Sequence, residues 1–121
     1  MNVISSIWEG LKNLCKRVVN FIRKVVQGIL NFFTHIVSWF KKLRLKKDKE
    51  IPFLMDGKKL KELIKKAPIK EVGIFEKDEG IFTGVYNEDT GTITHHEIVE
   101  ADELDEETRK VMGNEELVVL S

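Results

Sequence analysis

The chain has 121 residues, 42% of them hydrophobic, which is room for one modest domain with an appendage and excludes wholesale disorder. Its formal net charge of zero hides a division: residues 1–50 hold 11 Lys or Arg against three acidic residues, whereas residues 51–121 hold nine against 17. A net of +8 beside a net of −8 separates an anionic-surface or partner-binding segment from a solubilising one, and lets the halves attract each other within a chain or between neighbours.

The first 43 residues carry a helical spacing. Ile4, Trp8, Leu11, Cys15, Val18, Ile22, Val25, Ile29, Phe33, Ile36, Phe40 and Leu43 follow one another mostly in steps of four and three, which places them on one helical face. Ile7, Leu14, Val19, Phe21, Val26, Leu30, Phe32, Val37 and Trp39 widen that stripe. Ser6 and Glu9 have capping-box spacing, so regular helix is expected from about Ile7. Carried to Leu43, the pattern predicts a rod of roughly 55 Å. Gly10 and Gly28 interrupt it, as sites of a bend, a turn or a close helix approach.

Residues 44–50 read as a basic linker, and Ile51-Pro52 as the boundary, because proline restrains its predecessor from helical angles. Residues 51–121 read as a small acidic α+β domain. A short strand is expected at Phe53–Met55 and a helix at Gly57–Lys66 capped by Asp56, with Leu60, Leu63, Ile64 and Ala67 inward. Strands follow at Glu71–Glu76, Ile81–Tyr86 and Thr92–Val99, joined by polar turns. A helix from Glu103 to Met112, with Asp102 and Asp105 as first-turn acids and Gly113 as its stop, precedes a last strand at Leu117–Leu120. The fold class is therefore α+β: a long N-terminal amphipathic helix, then a small domain with a mainly antiparallel sheet and two short helices.

Nothing in the sequence points to an enzyme. His95 and His96 are adjacent in a predicted strand and face opposite ways, so they do not share a metal, and His95 with Glu97 supplies two ligands where zinc needs three or four. The acids from Glu100 to Glu107 lack the spacing and central glycine of a calcium loop. No glycine loop cradles phosphate, no nucleophile has a recognisable partner, and neither cofactor nor metal is expected. The single Cys15 falls on the apolar side, where it packs. Nucleic acid is disfavoured, since the aromatics follow the apolar face and the second half is acidic.

The recurring Lys12, Lys16, Arg17, Arg23 and Lys24 do not resemble a secretory signal, and the longest uncharged run, Val25 to Phe40, falls short of the ~20 residues needed to cross a bilayer. A cytoplasmic place is expected, extending to the inner face of a membrane. The functional question is what covers the stripe. Self-assembly is the leading expectation, through Ile4, Trp8, Leu11, Val18, Ile22, Val25, Ile29, Phe33, Ile36 and Phe40. The acidic domain is left to dock a protein partner. An anionic membrane surface is the alternative cover, met by Lys12, Lys16, Arg17, Arg23, Lys24, Lys41, Lys42, Arg44, Lys46 and Lys47, as an anchor or a permeabilising effector. Docking on the chain's own acidic half is the third, expected to be only partial.

Overall fold

Helix α1 (Val3–Arg17) turns Ile7, Leu11, Leu14 and Cys15 inward at the expected spacing, and it begins a turn earlier than the Ser6/Glu9 pattern predicts. The computed structural model describes residues 3–17, 22–66 and 77–120. The predicted rod does not continue to Leu43. The chain instead becomes strand β1 (Arg23–Val25), turns at Gly28, and forms strand β2 (Ile29–Leu30). A π-helical segment, Phe32–Val37, then runs into helix α2 (Ser38–Leu43). The physical reason lies in side-chain shape. Ile22, Val25, Val26 and Ile29 are β-branched, stiff at χ1 and better suited to a pleated strand than to a helix. Gly28 has φ of +94°, a left-handed angle that no helix interior adopts and that glycine accepts without steric cost.

The second half follows the sequence reading more closely. Strand β3 (Glu50–Asp56), helix α3 (Gly57–Lys66), strands β4 (Glu79–Asn87) and β5 (Thr92–Ala101), helix α4 (Glu106–Met112) and strand β7 (Leu117–Val119) all match expected elements. Strand β6 (Glu103–Leu104) takes residues expected as the first turn of α4, whose N-cap is Asp105. The Asp56 carboxylate accepts the Lys58 N–H at 3.1 Å, as a cap should. The predicted strand Glu71–Glu76 and the predicted inward residue Ala67 lie outside the described residues, as does the side chain of Ile64.

Five strands make one sheet in the order β1-β5-β4-β3-β7. β3, β4, β5 and β7 are antiparallel to their neighbours, while β1 joins β5 in parallel, with Arg23 opposite Ile98 and Val25 opposite Glu100. β2 pairs with β6 alongside. Pro52 sits inside β3, not at a boundary. Leu54 pairs with Val118, so Pro52 faces the end of β7, where its carbonyl accepts the Leu120 N–H at 2.9 Å and the bond that its nitrogen cannot donate falls past the last paired residue, Val119.

Alternation along the strands builds two cores. On one face α1 and α3 cover the sheet, with Ile7, Leu11 and Leu14 packed with Phe53, Met55, Leu60, Phe82 and Ile98. On the other lie Val26, Leu30, Phe32 and Ile36, packed with Leu54, Ile81, Val99 and Met112. The apolar residues of the first 43 thus serve both faces of the sheet formed by the remainder. At ~1.5–3 kcal/mol for each large apolar side chain removed from water, this is the main force holding the N-terminal segment in place.

Candidate interaction surface

The stripe read from the sequence is divided by the fold. Leu11 and Ile36 are wholly buried, and Trp8 and Phe40 are half-buried beside the two cores. Val18 lies outside the described residues. Ile4, Ile22, Val25, Ile29 and Phe33 remain exposed, with Ile22 and Phe33 at 62% and Ile29 at 56%. From residue 22 to 33 the widening row (Val26, Leu30, Phe32) is the buried one, and the principal row faces solvent. That inversion follows from replacing a helix by two short strands and a turn, which changes the direction of every side chain between them.

Hydrogen bonds fasten this segment to the second half. Gly28 donates its N–H to the Asp102 carboxylate at 3.1 Å, and its carbonyl accepts the N–H groups of Asp102 and Glu103. Asp105 serves two helical ends. Its Oδ1 accepts the Thr108 N–H at 3.0 Å and the Thr108 hydroxyl, and its Oδ2 accepts the Phe32 N–H at 2.9 Å. Asn31 caps the π-helical segment through the Thr34 N–H, and its own N–H donates to His35 Nδ1 at 2.8 Å, so that ring nitrogen is an acceptor. On the opposite face of the sheet, the fully buried Glu100 accepts the Lys77 N–H at 3.1 Å and pairs with Arg23 at 3.6 Å.

The cations proposed for an anionic surface are not gathered on one side. Lys12 pairs with Glu9 at 3.5 Å, and Lys16 and Arg17 flank a shallow cleft against Gly91 and Thr92, all on the α1 face. Arg23 is drawn to Glu100, and Lys24 stands near Glu97. Burial raises the Glu97 carboxyl above its usual value, against the opposing pull of Lys24 and Lys42. Lys41, Lys42 and Arg44 line a cleft with Phe33 beyond α2, on the other face of the sheet, and Lys46 and Lys47 continue from it along the exposed turn before β3. Arg44 closes α2 in the left-handed region at φ of 51°.

Between these features runs an open apolar notch of about 940 Å³. It crosses from the first residues of α1, Val3 and Ile4, past Ile51 and Pro52 of β3, to Val119 and Leu120 on one side and Phe40 on the other. Lys41, Lys47 and Glu50 stand among its walls. Sequence reasoning missed this notch, because its two ends are brought together only by the folding of α1 and α2 onto opposite faces of one sheet.

The residues weighed for metal chemistry are placed otherwise. His96 stacks on Phe82 with ring centroids 6.0 Å apart, and burial, with His95 adding a little, holds its pKa below the usual value. His95 lies beside the Thr94 hydroxyl at 3.1 Å. Among the described residues no three His, Cys, Asp or Glu side chains stand close enough to hold a metal ion. Cys15 is buried, and burial pushes its thiol up to about 11. Among the same residues no helix is long and apolar enough to cross a membrane. No protein-family model, curated protein or solved structure matches this chain.

Proposed function

We propose that this protein is a non-enzymatic assembly module that associates with copies of itself through apolar residues of its N-terminal segment. One observation carries the reading: Ile22, Val25, Ile29 and Phe33 stay in solvent along a twelve-residue stretch that feeds the core only through Val26, Leu30 and Phe32. Four large apolar side chains left exposed in so short a stretch favour burial against protein. Ile22 and Val25 flank or belong to β1, an edge strand of the sheet, which is a place where chains pair. A second copy supplies complementary charge, since Arg23 and Lys24 are basic and the acids between Glu100 and Glu116 belong to the other half. The exposed acids among them, Asp102, Glu103, Glu106, Glu115 and Glu116, are also the surface offered to a different protein partner.

Light scattering on the purified protein tests this. The expected result is a whole multiple of 14.0 kDa without lipid, reduced to the monomer by Ile29→Glu or Phe33→Glu with the fold retained. A monomer at every concentration from micromolar to millimolar overturns the reading.

A second reading is peripheral attachment to an anionic membrane, and the exposed run Lys41, Lys42, Arg44, Lys46 and Lys47 beside Phe33 favours it. It predicts a monomer that sediments with anionic vesicles, and dye release from them if the protein also permeabilises.

A further inference from the structure

The notch across the end of the sheet has a chemistry of its own. Its walls are mostly apolar (Ile4, Phe40, Ile51 and Val119 among them), and Ile4 and Val119 are 40% and 37% exposed. Two lysines, Lys41 and Lys47, stand among those walls, and neither has an ion-pair partner among the described residues. The one acid there, Glu50, is turned to the turn before β3, where it accepts the Lys46 N–H at 3.1 Å. Lys41 also lines the adjoining cleft with Lys42 and Arg44, so positive charge continues outward from the apolar floor.

We propose that this notch binds a single-chain anionic amphiphile of the fatty-acid class, its hydrocarbon along Ile4, Phe40, Ile51 and Val119 and its carboxylate at Lys41 and Lys47. Three considerations select that occupant. The unpaired lysines ask for an anion, and the apolar walls ask for a hydrocarbon. An added peptide strand needs donors along the first residues of β3, which run past the end of β7, yet Pro52 has no N–H and the Glu50 N–H is taken by the Lys46 carbonyl at 2.8 Å. A hydrocarbon chain makes no such demand. Finally, the site is concave, which suits one chain drawn out of water, whereas a bilayer is a plane that projecting side chains penetrate. The proposal does not rest on self-association, because one chain builds the whole notch.

Calorimetric titration with dodecanoate, kept below its micelle concentration, tests the assignment. One dodecanoate is expected per chain, and dodecyltrimethylammonium, of equal chain length and opposite charge, is expected to bind roughly 10-fold more weakly. The double variant Lys41→Gln/Lys47→Gln is expected to weaken dodecanoate by a similar, roughly 10-fold, factor. Val119→Asp is expected to weaken it by at least roughly 10-fold, with Ile4→Gln as the second apolar variant should Val119→Asp lose its circular dichroism. Absence of dodecanoate binding, equal binding of the cationic analogue, or binding that folded variants leave unchanged overturns the proposal. So does a protein that sediments with anionic vesicles while leaving monomeric dodecanoate free, which assigns the lysines to a bilayer.

Discussion

Asp105→Ala is the most telling single perturbation, because one carboxylate caps two helical ends at once, one in the N-terminal segment and one in the second half. Its Oδ1 caps α4 through Thr108, and its Oδ2 receives the first N–H of the π-helical segment at Phe32. Losing a helix cap costs about 1 kcal/mol, so removing two at once costs about 2 kcal/mol. Unfolding entropy near 2.1 cal/mol/K per residue gives about 0.25 kcal/mol/K for a chain of this length, and hence a fall in Tm of roughly 8 °C. Asp105→Asn keeps one acceptor and loses the other, so about half that fall is expected. Thermal unfolding followed by circular dichroism reads both, and a Tm for Asp105→Ala within about 2 °C of the parent refutes the double-cap argument. The carboxylate also carries a pH signature. Burial raises its pKa, but the bonds from the Thr108 hydroxyl, the Phe32 N–H and the Thr108 N–H outweigh that and leave it below the usual value. Its stabilisation is therefore complete above about pH 4 and is lost as the pH falls through the folded-state pKa, a loss that Asp105→Asn should not show.

Other consequences are as direct. A methyl group added at Gly84 runs into the Phe53 ring, so Gly84→Ala should cost about 1–3 kcal/mol in urea unfolding. Leu11→Ala should cost about 2–5 kcal/mol by the same assay, whereas Ile29→Glu, at an exposed site, should change monomer stability by about 0.5 kcal/mol or less. The folded-state pKa of His96 is lowered, so its contribution is fully present above its ordinary pKa near 6.5 and is lost as the pH falls through the folded value. Denaturation at pH 7 and pH 5 should therefore show a decrease that His96→Phe reduces. Cys15, its thiol raised to about 11 by burial, should resist a disulfide reagent at pH 8 until denaturant is added.

The second half was legible, apart from β6, because most of its elements are bounded by residues with one structural meaning. Asp56 starts a helix, Gly113 stops one, and the Asn87–Gly91 turn joins two strands, whereas the helix expected from Glu103 starts later, with Asp105 as its cap. The first half misled because steps of three and four do not distinguish one long helix from a helix, short strands about a turn and a second helical segment in succession. The shape of Ile22, Val25, Val26 and Ile29 and the position of Gly28 were the counter-signals. Pro52 misled for a different reason: whether proline is tolerated in a strand depends on which neighbour its nitrogen faces, and that is set by a pairing with β7 nearly seventy residues later in the chain. The notch was illegible on the same ground, as Ile4 and Val119 meet only in the finished fold.

The parallel pairing of β1 with β5 also governs how the chain comes into being. Arg23 finds its place beside Ile98, and Gly28 its bonds to Asp102, across a separation of 74 residues for the latter. A ribosome adding 5–20 residues per second needs about 4–15 s to supply that partner. Throughout that interval Val26, Leu30, Phe32 and Ile36 have no sheet to cover them. In the nascent chain these residues therefore precede the sheet that covers them, which makes the interval before β5 emerges one of aggregation risk and of use for a chaperone.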